Sequence, residues 1–137
     1  MNLENVLTLT ERLRLVAALR SIQVKVRWKP GKEVVHLSKR QTMGQLPCSA
    51  SLADYEATIL GLVREPQNAV YLYEFGNDQY YAVRGMSGDR EWLVIFGPDG
   101  LMETAFPPEE VDEYLERRGF ILLAGVEEVL KWTDGES

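Results

Sequence analysis

The chain contains very little histidine and cysteine. Among its 137 residues, His36 is the only histidine and Cys48 the only cysteine. A lone cysteine forms no internal disulfide. With only one cysteine and one histidine, the chain also lacks the ligands of a Cys-rich zinc site. Long apolar runs are also missing, since no stretch approaches the roughly 18 residues that span a bilayer. The N-terminus lacks the charged start and cleavage site of a signal peptide. We therefore expect a cytoplasmic protein without membrane contacts.

Positive charge is concentrated in one part of an acidic chain. The net charge is −6, but residues 1–47 hold nine Lys and Arg against three acids, and residues 48–137 hold six against eighteen. A basic segment in an acidic chain indicates a local anion site. The alternative is that this segment is a solvated edge, or pairs with the acidic half inside the fold.

The first predicted helix covers residues 8–20. Thr8 and Glu11 have the spacing of a capping box, in which each side chain satisfies a free backbone N–H. A helical period predicts an apolar stripe that includes Leu9, Leu13, Val16, Ala17 and Leu19. From residue 21 the pattern alternates and predicts a half-buried strand, with a basic outer face and an inner face made of Ile22, Val24, Val26 and Trp28.

The segment after this strand is the least patterned. "KPGK" predicts a turn. "EVVHL" fits a short strand or an extended lead into the next helix, and "SKRQTMGQLPCSA" fits a loop or a frayed helical turn. "SASLADYEATILGLVRE" predicts a second helix, because Ser51 and Asp54 repeat the capping arrangement and Pro66 ends it.

The second half of the chain changes to a period of two. "AVYLYEF", "QYYAVRG", "REWLVIFG" and "LMETAF" predict four strands joined by tight turns. "PPEEVDEYLERRG" predicts a third helix capped by Gly119, and "FILLAGVEEVLKW" fits either a strand followed by a short helix or one helix. We expect residues 133–137 to be disordered.

These elements predict a single α+β domain over residues 1–137. Its core would be a four-stranded antiparallel meander packed against the N-terminal helices on one face, with a C-terminal helix after the sheet. A length of 137 residues suits one domain with a buried core.

The order of the chemistry-bearing residues between about residues 34 and 106 resembles a known group of nucleases. A histidine followed by a basic pair in "VVHLSKRQ", a helix that opens "SLADYE", and a meander that ends in "GLMETAF" resemble the ribonuclease superfamily of barnase, EndoU, colicin D and RelE, in its toxin- or phage-associated type. The resemblance implies metal-independent RNA cleavage without a cofactor, by attack of the ribose 2′-OH on the adjacent phosphate. It also implies RNA contacts through residues 20–40 and a cognate inhibitor protein as partner.

The resemblance implies a role for each of six residues. His36 would move the proton, because only histidine has an unperturbed pKa near neutrality. Lys39 and Arg40 would hold the phosphate, with Arg84 as a third cation. Thr104 would supply a hydroxyl, and Phe106 would stack on a base. The catalytic set is thus His36, Lys39, Arg40 and Thr104, and the substrate-binding set is Arg84 and Phe106.

Each of these residues also has a purely structural interpretation. His36 would be a hydrogen-bonded residue of a half-buried strand, and Lys39 and Arg40 would be solvated loop residues. Thr104 is a good strand former, Phe106 would fill the sheet edge, and Arg84 would be exposed in a hairpin. Two other functional classes stay open: a catalytically inactive binding module or immunity- or antitoxin-like protein that uses its acidic C-terminal half, and a structural domain of a larger complex.

Overall fold

The computed structural model describes residues 6–132. They form an α+β domain with five helices and one five-stranded antiparallel sheet, as the sequence predicts in its class. In chain order the elements are α1 Leu9–Val24, α2 Lys32–Thr42, α3 Leu52–Arg64, β1 Ala69–Phe75, β2 Asp78–Ser87, β3 Arg90–Phe96, β4 Met102–Phe106, α4 Val111–Arg118, β5 Ile121–Gly125 and α5 Val126–Leu130. The tail for which we expect disorder, residues 133–137, lies outside the described residues.

The sheet has the order β4-β3-β2-β1-β5. Strands β1 to β4 form the predicted meander, each paired antiparallel with the next. The fifth strand comes from the segment that the sequence left undecided, and it pairs antiparallel with β1. The choice between one helix and a strand followed by a helix is therefore settled in favour of the strand, which adds one strand to the predicted four.

Two helices begin at the predicted capping boxes. The Thr8 hydroxyl accepts a hydrogen bond from the backbone N–H of Glu11 at 3.1 Å, and the Glu11 carboxylate accepts one from the N–H of Thr8 at 2.8 Å. Ser51 and Asp54 make the same reciprocal pair at the start of α3. Gly119 ends α4 with a φ of 75°, a left-handed conformation that glycine adopts without strain.

The predicted strand over residues 21–28 is wrong. Helix α1 continues to Val24, because Ile22 lies two turns beyond Leu15 and about one turn beyond Leu19 and is buried with them. The apolar stripe also differs from the prediction, since Leu9 and Leu13 are exposed and the buried face consists of Leu15, Val16, Ala18, Leu19 and Ile22. Of the predicted strand, only Trp28 pairs, in a single bridge with Met102 of β4.

The expectation of a short strand or an extended segment at residues 33–37 is also wrong. Residues 32–42 form helix α2, which places Lys32, His36 and Arg40 along one side at successive four-residue steps. The β-branched Val34 and Val35 suggested a strand, but both are largely exposed, so no sheet packing stabilises an extended conformation there.

The helices cover both faces of the sheet. Residues of α1, α3 and α5 form the main core with Trp92, Val94 and Phe96 of β3. The intervening residue Leu93 points to the opposite face, where it packs with Val111 and Leu115 of α4. The expectation that helices lie on one face only is therefore wrong for α4. Strand β3 is buried on both sides, as its continuous apolar sequence indicated.

Candidate functional site

Helix α2 contacts β4 through the two residues at the centre of the predicted site. The Nδ1 atom of His36 lies 3.1 Å from the Oγ1 atom of Thr104. Strand pleating directs Thr104 and Phe106 to the sheet face that α4 partly covers, whereas Ala105 between them points into the main core. The contact uses Nδ1 of His36, so Nε2 is the ring nitrogen that could bind a ligand.

An aromatic ring also contacts the histidine. The Trp28 ring stacks on His36 at a centroid distance of 6.4 Å and an interplanar angle of 21°. Trp28 is itself fixed by a 2.9 Å hydrogen bond from Nε1 to Glu56 and by the neighbouring ring of Tyr55. The imidazole is thus held between a ring and a hydroxyl, which restricts its rotation.

Tyr55 supports Thr104 from the core. Its ring is fully buried, and its hydroxyl donates a 2.5 Å hydrogen bond to the carbonyl oxygen of Ala105. Burial raises the pKa of the Tyr55 phenol to about 12, so the group remains protonated. The tyrosine therefore fixes the end of β4 and is not a proton carrier near neutral pH.

The electrostatic environment keeps His36 uncharged. Burial and, after it, the positive charges of Lys32, Arg40 and Lys39 together lower its pKa from 6.5 to about 4. At neutral pH the imidazole is consequently a proton acceptor. An anion bound beside these cations would raise the pKa, because it offsets their charge.

An open cavity of about 360 Å³ lies in front of this pair. Its floor is the sheet face carrying Tyr73, Phe75, Tyr80, Ile95 and Thr104, and its rim holds Lys32, His36, Glu103 and Arg118. Glu103 forms ion pairs with Lys29 and Lys32. The cavity therefore combines a proton acceptor, partly exposed aromatic rings and cations, which together suit a negatively charged ligand with planar rings.

Three of the other predicted residues lie together in an adjoining cavity. Lys39, Arg40 and Phe106 line a space of about 500 Å³ beside the first one. The Arg40 guanidinium lies 5.6 Å from the centroid of the Phe106 ring, and only 4% of the residue is exposed. The predicted phosphate ligands thus face this second cavity and not the space in front of His36.

Arg84 is engaged in ion pairs away from both cavities. Its guanidinium bonds Glu91 at 2.8 and 3.2 Å and Asp112 at 2.9 Å, which joins β2 to β3 and to α4. These hydrogen bonds raise its pKa further above the ordinary value. Arg84 thus holds these elements together, and it lines neither cavity.

Several site residues were missed from the sequence. Lys32 lies in the segment 20–40 that is predicted to contact RNA, but it has no individual predicted role, because its position beside His36 depends on α2 being helical. Arg118 comes from the end of α4, and Tyr73 and Tyr80 are a cross-strand pair of β1 and β2 without a predicted role. The helical spacing of Lys32 and His36 was the one local signal that pointed to the cavity.

Comparisons of this chain with protein-family models, with curated proteins and with solved structures find no match. Within residues 6–132, no helix is long and apolar enough to cross a membrane. No three His, Cys, Asp or Glu side chains of that range lie close enough together to hold a metal ion.

Proposed function

We propose that this protein is an endoribonuclease that cleaves unpaired RNA without a metal ion, with His36 as the proton acceptor. The contact between His36 and Thr104 is the observation that carries the proposal. It joins a neutral imidazole to a hydroxyl on the floor of an open cavity that also offers aromatic rings and cations.

The reaction would use the free Nε2 atom of His36. The 2′-oxygen of the ribose attacks the adjacent phosphorus while its proton passes to Nε2. The bond from phosphorus to the 5′-oxygen breaks, and that oxygen takes a proton from water. The products are a 2′,3′-cyclic phosphate and a free 5′-hydroxyl, and the imidazolium returns its proton to solvent.

Cations at the rim would bind the scissile phosphate. Lys32 lies on the same side of α2 as His36, and Arg118 at the end of α4 also lines the cavity. Donors that stabilise charge developing in the transition state are typically worth a factor of about 10²–10³ each. The arriving phosphate also raises the pKa of His36, which makes the imidazole a stronger base when substrate is bound.

The open sheet face supports a single-stranded substrate. Phe75 is 66% exposed, and Tyr73 and Tyr80 are partly exposed beside it. Unpaired bases stack on such rings, whereas bases within a duplex are stacked on each other and inaccessible. Helix α4 and helix α2 border this face, which suits a flexible strand better than a rigid duplex.

The test compares the purified wild type with His36→Gln in the presence of a chelator. The wild type should cleave a labelled single-stranded RNA to fragments with a cyclic phosphate, identified by mass spectrometry, and His36→Gln should not. Lys131→Ala is the control, because Lys131 is an exposed basic residue that lies outside residues 20–40 and lines neither cavity. Intact RNA with excess wild-type protein, or equal cleavage by His36→Gln, would contradict the proposal.

A second candidate is RNA binding without cleavage. The low pKa of His36 favours it, because an imidazole with a pKa of about 4 is a weak base until an anion binds. Binding of RNA by the wild type without cleavage at any pH would favour this candidate. That the acidic C-terminal half contacts a basic partner protein stays a prediction.

A further inference from the structure

The adjoining cavity contains a buried arginine without a counter-ion. The cavity of about 500 Å³ is enclosed by the end of α2, the end of β4 and helix α4, and its cations are Lys39, Arg40 and Arg117. Among residues 6–132, no carboxylate lies within 4.0 Å of the Arg40 guanidinium. A buried charge is normally paired or hydrogen-bonded, so this arginine calls for an external partner.

Two polar atoms in the lining are buried and unsatisfied. The Nε–H of Arg40 has no acceptor, and the Oε1 atom of Gln45 has no donor. The Phe106 ring covers one face of the guanidinium at 5.6 Å. A ligand that satisfies both atoms must present an acceptor to Arg40 and an O–H or N–H group to Gln45, which a phosphate and its attached sugar can do.

Met43 covers the guanidinium from the solvent side. Its Sδ atom lies 4.0 Å from a terminal nitrogen of Arg40, and the side chain is 58% exposed. A thioether is a weak hydrogen-bond acceptor on a flexible chain. An anion would therefore replace it at Arg40 by displacing only an exposed side chain.

We propose that this cavity binds the phosphate of the nucleotide next to the one held at His36, through Arg40, Gln45 and Phe106. The proposal rests on the proposed function, since it assigns this cavity to the same RNA strand. His36 and Arg40 are separated by about 6 Å along the helix axis. Thr104 and Phe106 are separated by about 7 Å along the strand. The two cavities are thus spaced along both elements by a distance that one nucleotide can bridge.

Acidic residues at the rim limit what this cavity accepts. Glu109, Glu110 and Glu113 line its outer part, and Glu113 pairs with Arg117 at 3.5 Å. These carboxylates are exposed and screened by salt, whereas Arg40 acts from a buried position. The cavity therefore favours one phosphate of the strand at its buried end over several phosphates along its rim.

The direct test follows the Arg40 Nε–Hε signal of the full-length protein by NMR during titration with inorganic phosphate. We expect a saturable shift in the millimolar range. Met43→Ala should bind phosphate more tightly, because it removes the cover. Absence of any phosphate-dependent change at the Arg40 signal in the wild type would overturn the proposal, and this measurement needs no variant that has to fold.

The second test uses dinucleotides made non-cleavable by a 2′-O-methyl group, with no terminal phosphate, a 5′-phosphate or a 3′-phosphate. One of the two phosphates should tighten binding to the wild type by about tenfold, the gain expected of a charge-assisted hydrogen bond. Arg40→Met should lose this preference and bind the unphosphorylated dinucleotide as the wild type does. An unchanged preference in Arg40→Met would also overturn the proposal.

The outcomes separate this inference from the proposed function. If the Arg40 signal responds to phosphate but His36→Gln does not reduce RNA cleavage, the anion site stands and the ribonuclease proposal fails. If His36-dependent cleavage is found and the Arg40 signal does not respond, only the subsite fails.

Discussion

The imidazole of His36 and the hydroxyl of Thr104 lie 3.1 Å apart, although 68 positions separate them in the sequence. This contact makes Thr104 the positioning residue of the proposed reaction. It fixes the ring of His36 from the sheet, and the Trp28 ring stacks beside it.

Thr104→Val should separate positioning from folding. The substitution keeps the shape of the side chain and removes the hydroxyl, which should cost about 1 kcal/mol of stability. RNA cleavage should fall by about 10²-fold, because the imidazole is no longer held in place. Thr104→Ser, which restores the hydroxyl, should recover most of the rate, with cleavage and urea unfolding measured on the same preparations. Wild-type cleavage by Thr104→Val would show that the contact has no functional role.

Stability should depend on pH through His36. The folded pKa is about 4 against an ordinary 6.5, so the unfolded chain binds more protons between these values. The stabilising contribution is therefore complete above pH 6.5 and is lost as the pH falls towards 4. After allowance for solvent screening it should amount to about 1–2 kcal/mol.

Urea unfolding of the wild type and of His36→Gln at several pH values measures this contribution. The difference between their free energies of unfolding cancels the titration of the carboxylates and leaves that of His36. If the two proteins lose stability in parallel on acidification, the pKa of His36 is not lowered in the folded state.

Phe75 should contribute to RNA binding by stacking. Its ring is 66% exposed in the cavity in front of His36. Phe75→Ser should weaken binding of a non-cleavable single-stranded RNA by about 1–3 kcal/mol, measured by fluorescence anisotropy. Met86→Ser is the matched control, because Met86 is 58% exposed on β2 and lines neither of the two cavities. Equal affinities of the two variants would place the RNA elsewhere.

Arg84 should matter for stability and not for cleavage. Arg84→Met removes the ion pairs to Glu91 and Asp112 and should lower the free energy of unfolding by about 1–3 kcal/mol. Cleavage per folded molecule should stay at the wild-type level at a temperature well below the unfolding midpoint. A large loss of cleavage without a loss of stability would return Arg84 to the substrate-binding set.

Two glycines should respond in opposite directions to alanine. A Cβ atom at Gly85 would lie 2.1 Å from Nδ2 of Asn68, a side chain already held by a 2.9 Å hydrogen bond to Leu62. Gly85→Ala should therefore destabilise the fold by about 1–3 kcal/mol. Gly61 in α3 has open space around it, and Gly61→Ala should stabilise the fold by about 0.5–1 kcal/mol. Thermal unfolding of both variants checks the pair.

The helix caps and the turns were the parts of the fold that could be predicted from the sequence. The capping boxes at Thr8 and Ser51 and the turns of the meander act within a few residues, so their signals are complete in the sequence. The strand predicted for residues 21–28 is wrong because a short apolar pattern fits both the helical and the strand period. Burial of Ile22 against the core selects the helix. Strand β5 stayed undecided because its pairing with β1 depends on residues about fifty positions away.

The candidate site was predictable only in part for the same reason. The resemblance places His36 and Thr104 in one catalytic set, and the two side chains are in contact. The assignment of Arg40 to the phosphate held at His36 stays a prediction. The helix directs its side chain into the neighbouring cavity. Arg118 belongs to α4, and no local sequence pattern predicts that this helix packs on the second face of the sheet.

The sheet edge at β4 determines when the site can form during synthesis. Residues 27–29 bond to Met102 at this edge, and α2 lies against the same strand. Every contact that fixes His36 to the sheet thus joins the first third of the chain to a strand completed at residue 106. Because synthesis proceeds from the N-terminus, the histidine emerges from the ribosome long before its partner hydroxyl. A nascent chain therefore carries His36 without the site, and the burial that contributes most to its lowered pKa is complete only when the edge strand has been made and docked.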